Sequence, residues 1–306
     1  YAHFGSALED LYRRFPSDVA NVGGATTGEY GPRIGDPSAD TWGSLWVRYT
    51  DEHKGQVVQG PLEDWAALET FEPPDTSSDA LFAQLEARLA DNAGERYTMA
   101  DGDCLWQRMF YLHGYRATLE DLLIEPERCA QLRDMILEVM VRRVERLCKL
   151  PALDGIHFRD DWGTQQALMI RPELWRTFFK PAYARLFALA RDAGKHVWFH
   201  SDGAIGEVVP DLVEIGVQVL NPQVDVVGRN RLRALCGPQT CIQADIDRQY
   251  ILPYGTTDEV RAAVRADIAA LGTPQGGYIV RGEAAGDVPL ENLEAMLDEV
   301  TSYQAS

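Results

Sequence analysis

The run His196-Val197-Trp198-Phe199-His200-Ser201-Asp202-Gly203 decides how this chain is read. A short apolar and aromatic segment stops abruptly at polar residues and a glycine, the pattern of a buried strand that ends in a turn. Four similar runs are Gly155 to Phe158, Val217 to Leu220, Thr240 to Ala244 and Gly277 to Val280, with helical stretches between them. The helix after the first run places Leu174, Phe178, Ala182, Leu186 and Ala190 at four-residue spacing, which makes one apolar face, and Pro181 is expected to kink it. Strands alternating with helices of this length are the pattern of parallel βα units. The expected fold is therefore α/β, a (β/α)₈ TIM-type barrel in a single domain.

Each strand ends in polar residues: Arg159, Asp160 and Asp161; His200 and Asp202; Asn221 and Gln223; Asp245 and Asp247; Arg281 and Glu283. Helix capping explains some of them but not easily all five sets. In a parallel barrel these ends converge on one mouth, where barrel enzymes carry their chemistry. His200 and Asp202, two residues apart, point to the same side, so imidazole and carboxylate could share a metal ion or a proton. Glu283 is the expected third ligand. A His, Asp and Glu set suits zinc, manganese or ferrous iron better than a thiol-selective site. Two other readings stay open: a structural histidine, or Asp202 orienting His200 as a general base.

Residues 1–75 read as an irregular segment with a β-hairpin packed on the barrel, and 76–306 as the rest of the barrel domain. A short helix runs through Leu8 to Arg14. The glycines from Gly23 to Gly31 lack phosphate-loop spacing, and alternation over Trp42 to Tyr49 and Gln56 to Gln59 predicts the hairpin. Helices are expected around Leu81 to Leu89, Cys104 to His113 and Pro126 to Leu147. Forty-seven acidic against 29 basic residues give a net charge of −18, which disfavours nucleic acid and polyanionic substrates. Five cysteines without a CxxC pair read as reduced thiols, and no apolar run reaches the roughly 20 residues of a membrane span. A soluble, cytoplasmic protein is expected. Its opening on Tyr1 rather than methionine makes a preceding segment a further expectation.

At the strand ends the chain resembles the uroporphyrinogen decarboxylase superfamily, which includes zinc-dependent corrinoid methyltransferases. The resemblance is carried by Asp160-Asp161-Trp162-Gly163-Thr164-Gln165, by Leu174 to Pro181, by Phe199-His200-Ser201-Asp202-Gly203, by Asp211 to Val217 with Leu220-Asn221, and by Pro289-Leu290-Glu291-Asn292. It covers about residues 40 to 300 and implies a barrel whose first strand precedes the Leu8 helix. In the corrinoid branch the His200 motif reads His-x-Cys and a second cysteine follows the last strand; here Asp202 and Glu283 stand in those places. Carboxylates leave a metal more positive than thiolates would, which favours Lewis-acid work on an oxygen group. The arginine-rich N-terminal motif of true uroporphyrinogen decarboxylases is missing, so porphyrinogen decarboxylation is not expected.

The resulting expectation is a metal-assisted group-transfer enzyme acting on a small molecule, a methyltransferase or demethylase for a methoxy or methylamino compound with a corrinoid protein as acceptor. His200, Asp202 and Glu283 would hold the metal, and Asp161 would position substrate or carry a proton. Arg108, Trp162, Gln165, Gln223, Asp245, Asp247 and Arg281 are candidate substrate contacts, with a structural ion pair the alternative for Arg108 and packing the alternative for Trp162. Two competing expectations are a metal-free decarboxylase or carbon–carbon lyase and a non-catalytic binding barrel.

Overall fold

The computed structural model describes residues 4–23, 34–50, 55–92, 94–282 and 286–303. Its strands are β1 (Val19–Gly23), β2 (Ser38–Ala39), β3 (Leu45–Val47), β4 (Gln56–Gln59), β5 (Tyr97–Asp103), β6 (Gly155–Arg159), β7 (His196–Ser201), β8 (Val219–Pro222), β9 (Cys241–Asp245) and β10 (Tyr278–Arg281). Seven follow the sheet order β1-β5-β6-β7-β8-β9-β10. The pairs β1–β5, β5–β6, β7–β8, β8–β9 and β9–β10 are parallel. With helices between successive strands, this is the (β/α)₈ barrel class expected. The hairpin is also present, with a third short strand: β2, β3 and β4 form an antiparallel sheet. The helices α1 (Ser6–Arg14), α2 (Asp79–Asn92), α3 (Trp106–His113), α4 (Tyr115–Ile124) and α5 (Pro126–Leu147) include all those anticipated before the first predicted strand.

Two strands of the seven-stranded sheet are not anticipated. β1 lies in the segment read as irregular, and it pairs in parallel with β5. The β5 sequence Tyr-Thr-Met-Ala-Asp-Gly-Asp has little alternation because it is buried from Ala100 to its end. Asp101 and Asp103 are tolerated inside because arginines brought by other elements pair with them. Asp103 has a φ of 79°, and the pairing with β6 shifts register beside it.

The chain divides into two compact units. The first comprises residues 19–162 and 170–197. There Pro126 opens α5, and Leu132, Ile136, Val139, Val144 and Leu147 bury the stripe that packs on β5 and on α7 (Lys180–Asp192). Ahead of α7 stand the short α6 (Pro172–Leu174) and a π turn over Trp175–Phe179. The irregularity expected at Pro181 is thus realised as a wide turn just before it. The second unit comprises residues 1–18, 163–169 and 198–306. Leu8 and Leu11 of α1 pack there with Ile246, Leu252, Val260, Val264 and Leu293. The helix Thr257–Leu271 starts with a reciprocal capping box between Thr256 and Glu259. Removing such a cap costs roughly 0.5–2 kcal/mol.

Candidate active site

In the second unit the strand-end loops meet backbone to backbone. The Gly163 amide donates to the Asp202 carbonyl at 3.1 Å, and Ala204 N–H donates to the Thr164 carbonyl at 2.8 Å. A Cβ on Gly203 would stand 2.2 Å from the Gly163 carbonyl carbon, and one on Gly163 would stand 2.4 Å from the Ala204 nitrogen. Gly203 also has a φ of +84°. Glycine is required at both positions, which explains why each predicted site motif carries one.

His200 is held in one tautomer. Asn221 Nδ2 donates to the Gln243 carbonyl at 2.8 Å, so Asn221 Oδ1 turns toward His200 Nδ1, also at 2.8 Å. The backbone carbonyl of Asn221 lies 3.1 Å from the same nitrogen. Two acceptors there require the imidazole proton on Nδ1, which leaves the lone pair on Nε2. Nε2 lies 3.9 Å from Asp202 Oδ1, beyond hydrogen-bond reach. Asn221 therefore orients the ring, whereas one sequence reading gave that task to Asp202. A residue fixing the far nitrogen of a metal-ligating imidazole is the usual supporting arrangement at metal centres.

Asp202 Oδ2 accepts from Arg248 Nη2 at 2.7 Å. The two side chains are 34% and 29% exposed, and His200 is 19% exposed, so solvent or a ligand reaches all three. Gln223 Oε1 accepts from the Gly203 amide at 3.1 Å and from Gln165 Nε2 at 3.0 Å. Arg281 Nη1 donates to Asn221 Oδ1 at 3.3 Å and to Asp245 Oδ2 at 3.4 Å. Asp202, Gln223, Asp245 and Arg248 border one narrow cleft with Asp225. Burial, then the charge of Asp247, pushes the Asp225 carboxyl above its ordinary value. Asp247 itself accepts from the amides of Gln249 and Tyr250, both at 2.9 Å, which gives it the work of closing a turn. Glu283 lies outside the described residues.

The first unit holds the other candidates. Gln107 Nε2 donates to Asp161 Oδ2 at 3.1 Å. The adjacent Asp160 is fully buried and caps α3, accepting from the amides of Leu105, Trp106 and Gln107 and, at 2.6 Å, from the Tyr183 hydroxyl. Burial pushes its carboxyl up to about 7, against hydrogen bonds that favour the ionised form. Trp162 is buried, stacks on Trp106 with centroids 4.9 Å apart, and donates from Nε1 to Tyr183 at 3.2 Å. Arg108 is 3% exposed and ion-paired with Asp40 at 3.1 Å and Asp103 at 3.5 Å. Its guanidinium is thus held by protein carboxylates. Burial raises the Cys104 thiol well above its ordinary value and the Cys241 thiol to about 11, so both are poor nucleophiles at neutral pH.

Two of these groups escape the sequence-based site, whereas Arg248, after Asp247, is open in the sequence to carboxylate binding or a structural ion pair. Asn221 stands at a strand end and shows there as a polar residue, but its partner does not. Gln107 sits in the first turn of α3 with no local signal of its link to Asp161.

A parallel α/β barrel with an oriented imidazole and carboxylates at its strand ends defines the general class: a barrel protein with an enzyme-like mouth. The uroporphyrinogen decarboxylase (URO-D) family model matches residues 46–303, and the chain belongs to that family. Among solved structures, a methyltransferase from Methanosarcina mazei is similar at 16% identity with a TM-score of 0.67, over 85% of this chain and 75% of that one. That likeness supports the fold. A 3-keto-D-glucoside 4-epimerase from E. coli is similar at 14% identity with a TM-score of 0.42, over 80% of this chain and 95% of that one, too weak to carry an argument. No curated protein matches the chain. No helix among the described residues is long and apolar enough to cross a membrane.

Proposed function

We propose that the chain is a metal-assisted group-transfer enzyme acting on a small molecule, and that the group transferred is a methyl from a methoxy or methylamino compound to a corrinoid protein. The observation that carries this reading is the His200 ring, held by Asn221 with its lone pair on Nε2 and with Asp202 Oδ1 3.9 Å from that nitrogen. The proposed donor set, His200 and Asp202 with Glu283 as a third ligand, fits a divalent cation, since an imidazole with carboxylates suits zinc, manganese or ferrous iron. Asp161 is proposed to position substrate or carry a proton. When bound, such an ion supplies Lewis acidity at the heteroatom that carries the methyl group.

The chain's own residues do the rest. Asn221 fixes the His200 ring, Arg248 balances one oxygen of Asp202, and Gln107 holds one oxygen of Asp161. Gln223, Gln165 and Arg281 border the approach and offer contacts to substrate. The likeness to a methyltransferase supports the choice of methyl transfer, while the absence of Cys at position 202 argues for an oxygen or nitrogen substrate over thiol activation. The test is elemental analysis of wild type beside His200→Ala after incubation with zinc, manganese or ferrous iron. About one equivalent held by wild type and lost in the variant is expected. No metal in either protein overturns the reading.

Arg248 at 2.7 Å from Asp202 favours a second reading, since an arginine beside the cleft is suited to a substrate carboxylate. A metal-free decarboxylase or carbon–carbon lyase would then use Asp161 and Asp202 as acid and base.

A further inference from the structure

Within the first unit a cavity of about 410 Å³ opens between the β2–β4 hairpin sheet and the helices α3 and α4. Trp46, Phe110, Tyr111 and Tyr115 contribute four aromatic rings to its wall. They meet edge to face in a chain: Trp46 with Tyr111 at 4.9 Å and 65°, Tyr111 with Phe110 at 4.9 Å and 81°, and Phe110 with Tyr115 at 5.3 Å and 89°. Each edge-to-face contact covers one ring face with the edge of the next ring and leaves the opposite face uncommitted by that contact.

Among the described residues that line the cavity the formal charge has one sign: Glu63 is the sole ionisable acid or base apart from the two tyrosines, and the remaining polar lining is glutamine. The Arg108 guanidinium lies 5.7 Å from the Tyr111 ring but is balanced by Asp40 and Asp103. Across the whole chain the net charge is −18. Aromatic faces, one carboxylate and a negative field favour a cation with apolar substituents.

The walls are also pre-formed. Ser44 Oγ donates to the Tyr111 carbonyl at 3.0 Å and the Leu62 amide donates to the Leu112 carbonyl at 2.9 Å, so the segments around the hairpin cap the C-terminal end of α3. A Cβ on Gly60 would stand 2.1 Å from the Leu112 carbonyl oxygen, which shows how closely the two segments meet. Trp46 is fixed through its Nε1, which donates to Asp40 at 3.0 Å.

We infer that this cavity binds a methylated ammonium group. Gln107 both lines the cavity and donates to Asp161 at 3.1 Å, so on the reading of Asp161 as part of the active site the bound cation is the substrate or its recognition end. This chooses between the methoxy and methylamino alternatives in favour of the second.

The test is titration calorimetry of the full chain with choline, with its neutral isostere 3,3-dimethylbutan-1-ol, and with anisole as a neutral aryl ether, each with and without added zinc. Choline is expected to bind roughly two- to thirtyfold more tightly than the isostere, the range of a cation–π contribution. Glu63→Gln, which keeps an acceptor for the Gly60 amide, and Val58→Arg, which adds a cation at an exposed lining position, should both weaken choline. Equal binding of choline and the isostere, anisole bound in preference to choline, no binding of choline, or choline binding untouched by both variants overturns the inference. Choline bound by a chain that takes up no metal would sink the proposed function and leave the cavity standing. Metal taken up without choline binding would sink the cavity alone.

Discussion

Charged side chains crowd the strand ends of both compact units, yet the two sets sit in different media. In the first unit Asp101, Asp103, Arg108 and Arg143 are 7%, 4%, 3% and 2% exposed, and each is tied to a neighbour from another element. In the second, the side chains of His200, Asp202, Arg248 and Arg281 are 19–41% exposed. Buried charges stay only if paired, and breaking a pair leaves an uncompensated charge in a poor solvent. Partly exposed charges cost little to hold and can exchange one partner for another. The same residue types therefore serve structure on one side and remain available for chemistry on the other.

The largest effect that tests this contrast is Arg108→Ala, which leaves Asp40 and Asp103 buried without their cation. A loss of roughly 3–5 kcal/mol is expected in urea unfolding. A loss below about 1 kcal/mol would erase the distinction between the two sets. The contrast sharpens at Asn221→Ala, where the fold should hold while zinc affinity drops roughly 10- to 100-fold, because the His200 ring loses its orienting acceptor. Unchanged affinity measured by competition with a chelator would mean that Asn221 does not serve a metal ligand.

How much of this was readable beforehand follows from which contacts are local. His200 and Asp202 are legible because their spacing of two residues fixes a shared side of one strand. Asn221 shows as a polar strand end, but its role arises from the register that sets it opposite His200 across β7 and β8, which no local pattern encodes. Asp160 and Asp161 are neighbours with different partners, one capping α3 and the other meeting Gln107, and the sequence offers no means to tell them apart. β5 escapes notice for a related reason: its aspartates look like a loop until the arginines that pair with them arrive from α3 and β6. Regular βα alternation after Leu153 was strong enough to carry the fold in spite of these gaps.

Acidification probes the buried set from another direction. Burial raises the Asp101 carboxyl, but the Arg159 charge and hydrogen bond, with smaller help, outweigh it and hold the group below its ordinary value of 3.8. A folded-state value below the unfolded one adds stability above pH 3.8 that fades as pH falls through the folded value. Arg159 is about a third exposed, so Arg159→Met should cost less than Arg108→Ala at pH 7. Without the arginine, burial leaves the Asp101 carboxyl easier to protonate, so the gap between wild type and Arg159→Met in urea midpoint should be widest at pH 7 and shrink as pH falls toward 3. A gap that grows on acidification would mean that Asp101 gains nothing from the arginine.

The smallest effect on stability is expected where the two functional readings part most clearly. Arg248 and Asp202 form a pair about one-third exposed, so Arg248→Ala should change unfolding free energy by only ~0.2–1 kcal/mol. Removing the guanidinium leaves more negative charge on Asp202 for a cation, so on the metal reading zinc affinity stays level or rises. On the lyase reading the same change removes the group that holds a substrate carboxylate, and affinity for simple carboxylates falls while metal uptake is absent throughout. Measuring zinc and a short carboxylate on the same variant separates the two: a salt bridge that matters little to the fold reports whether Asp202 is poised for a metal or for an acid.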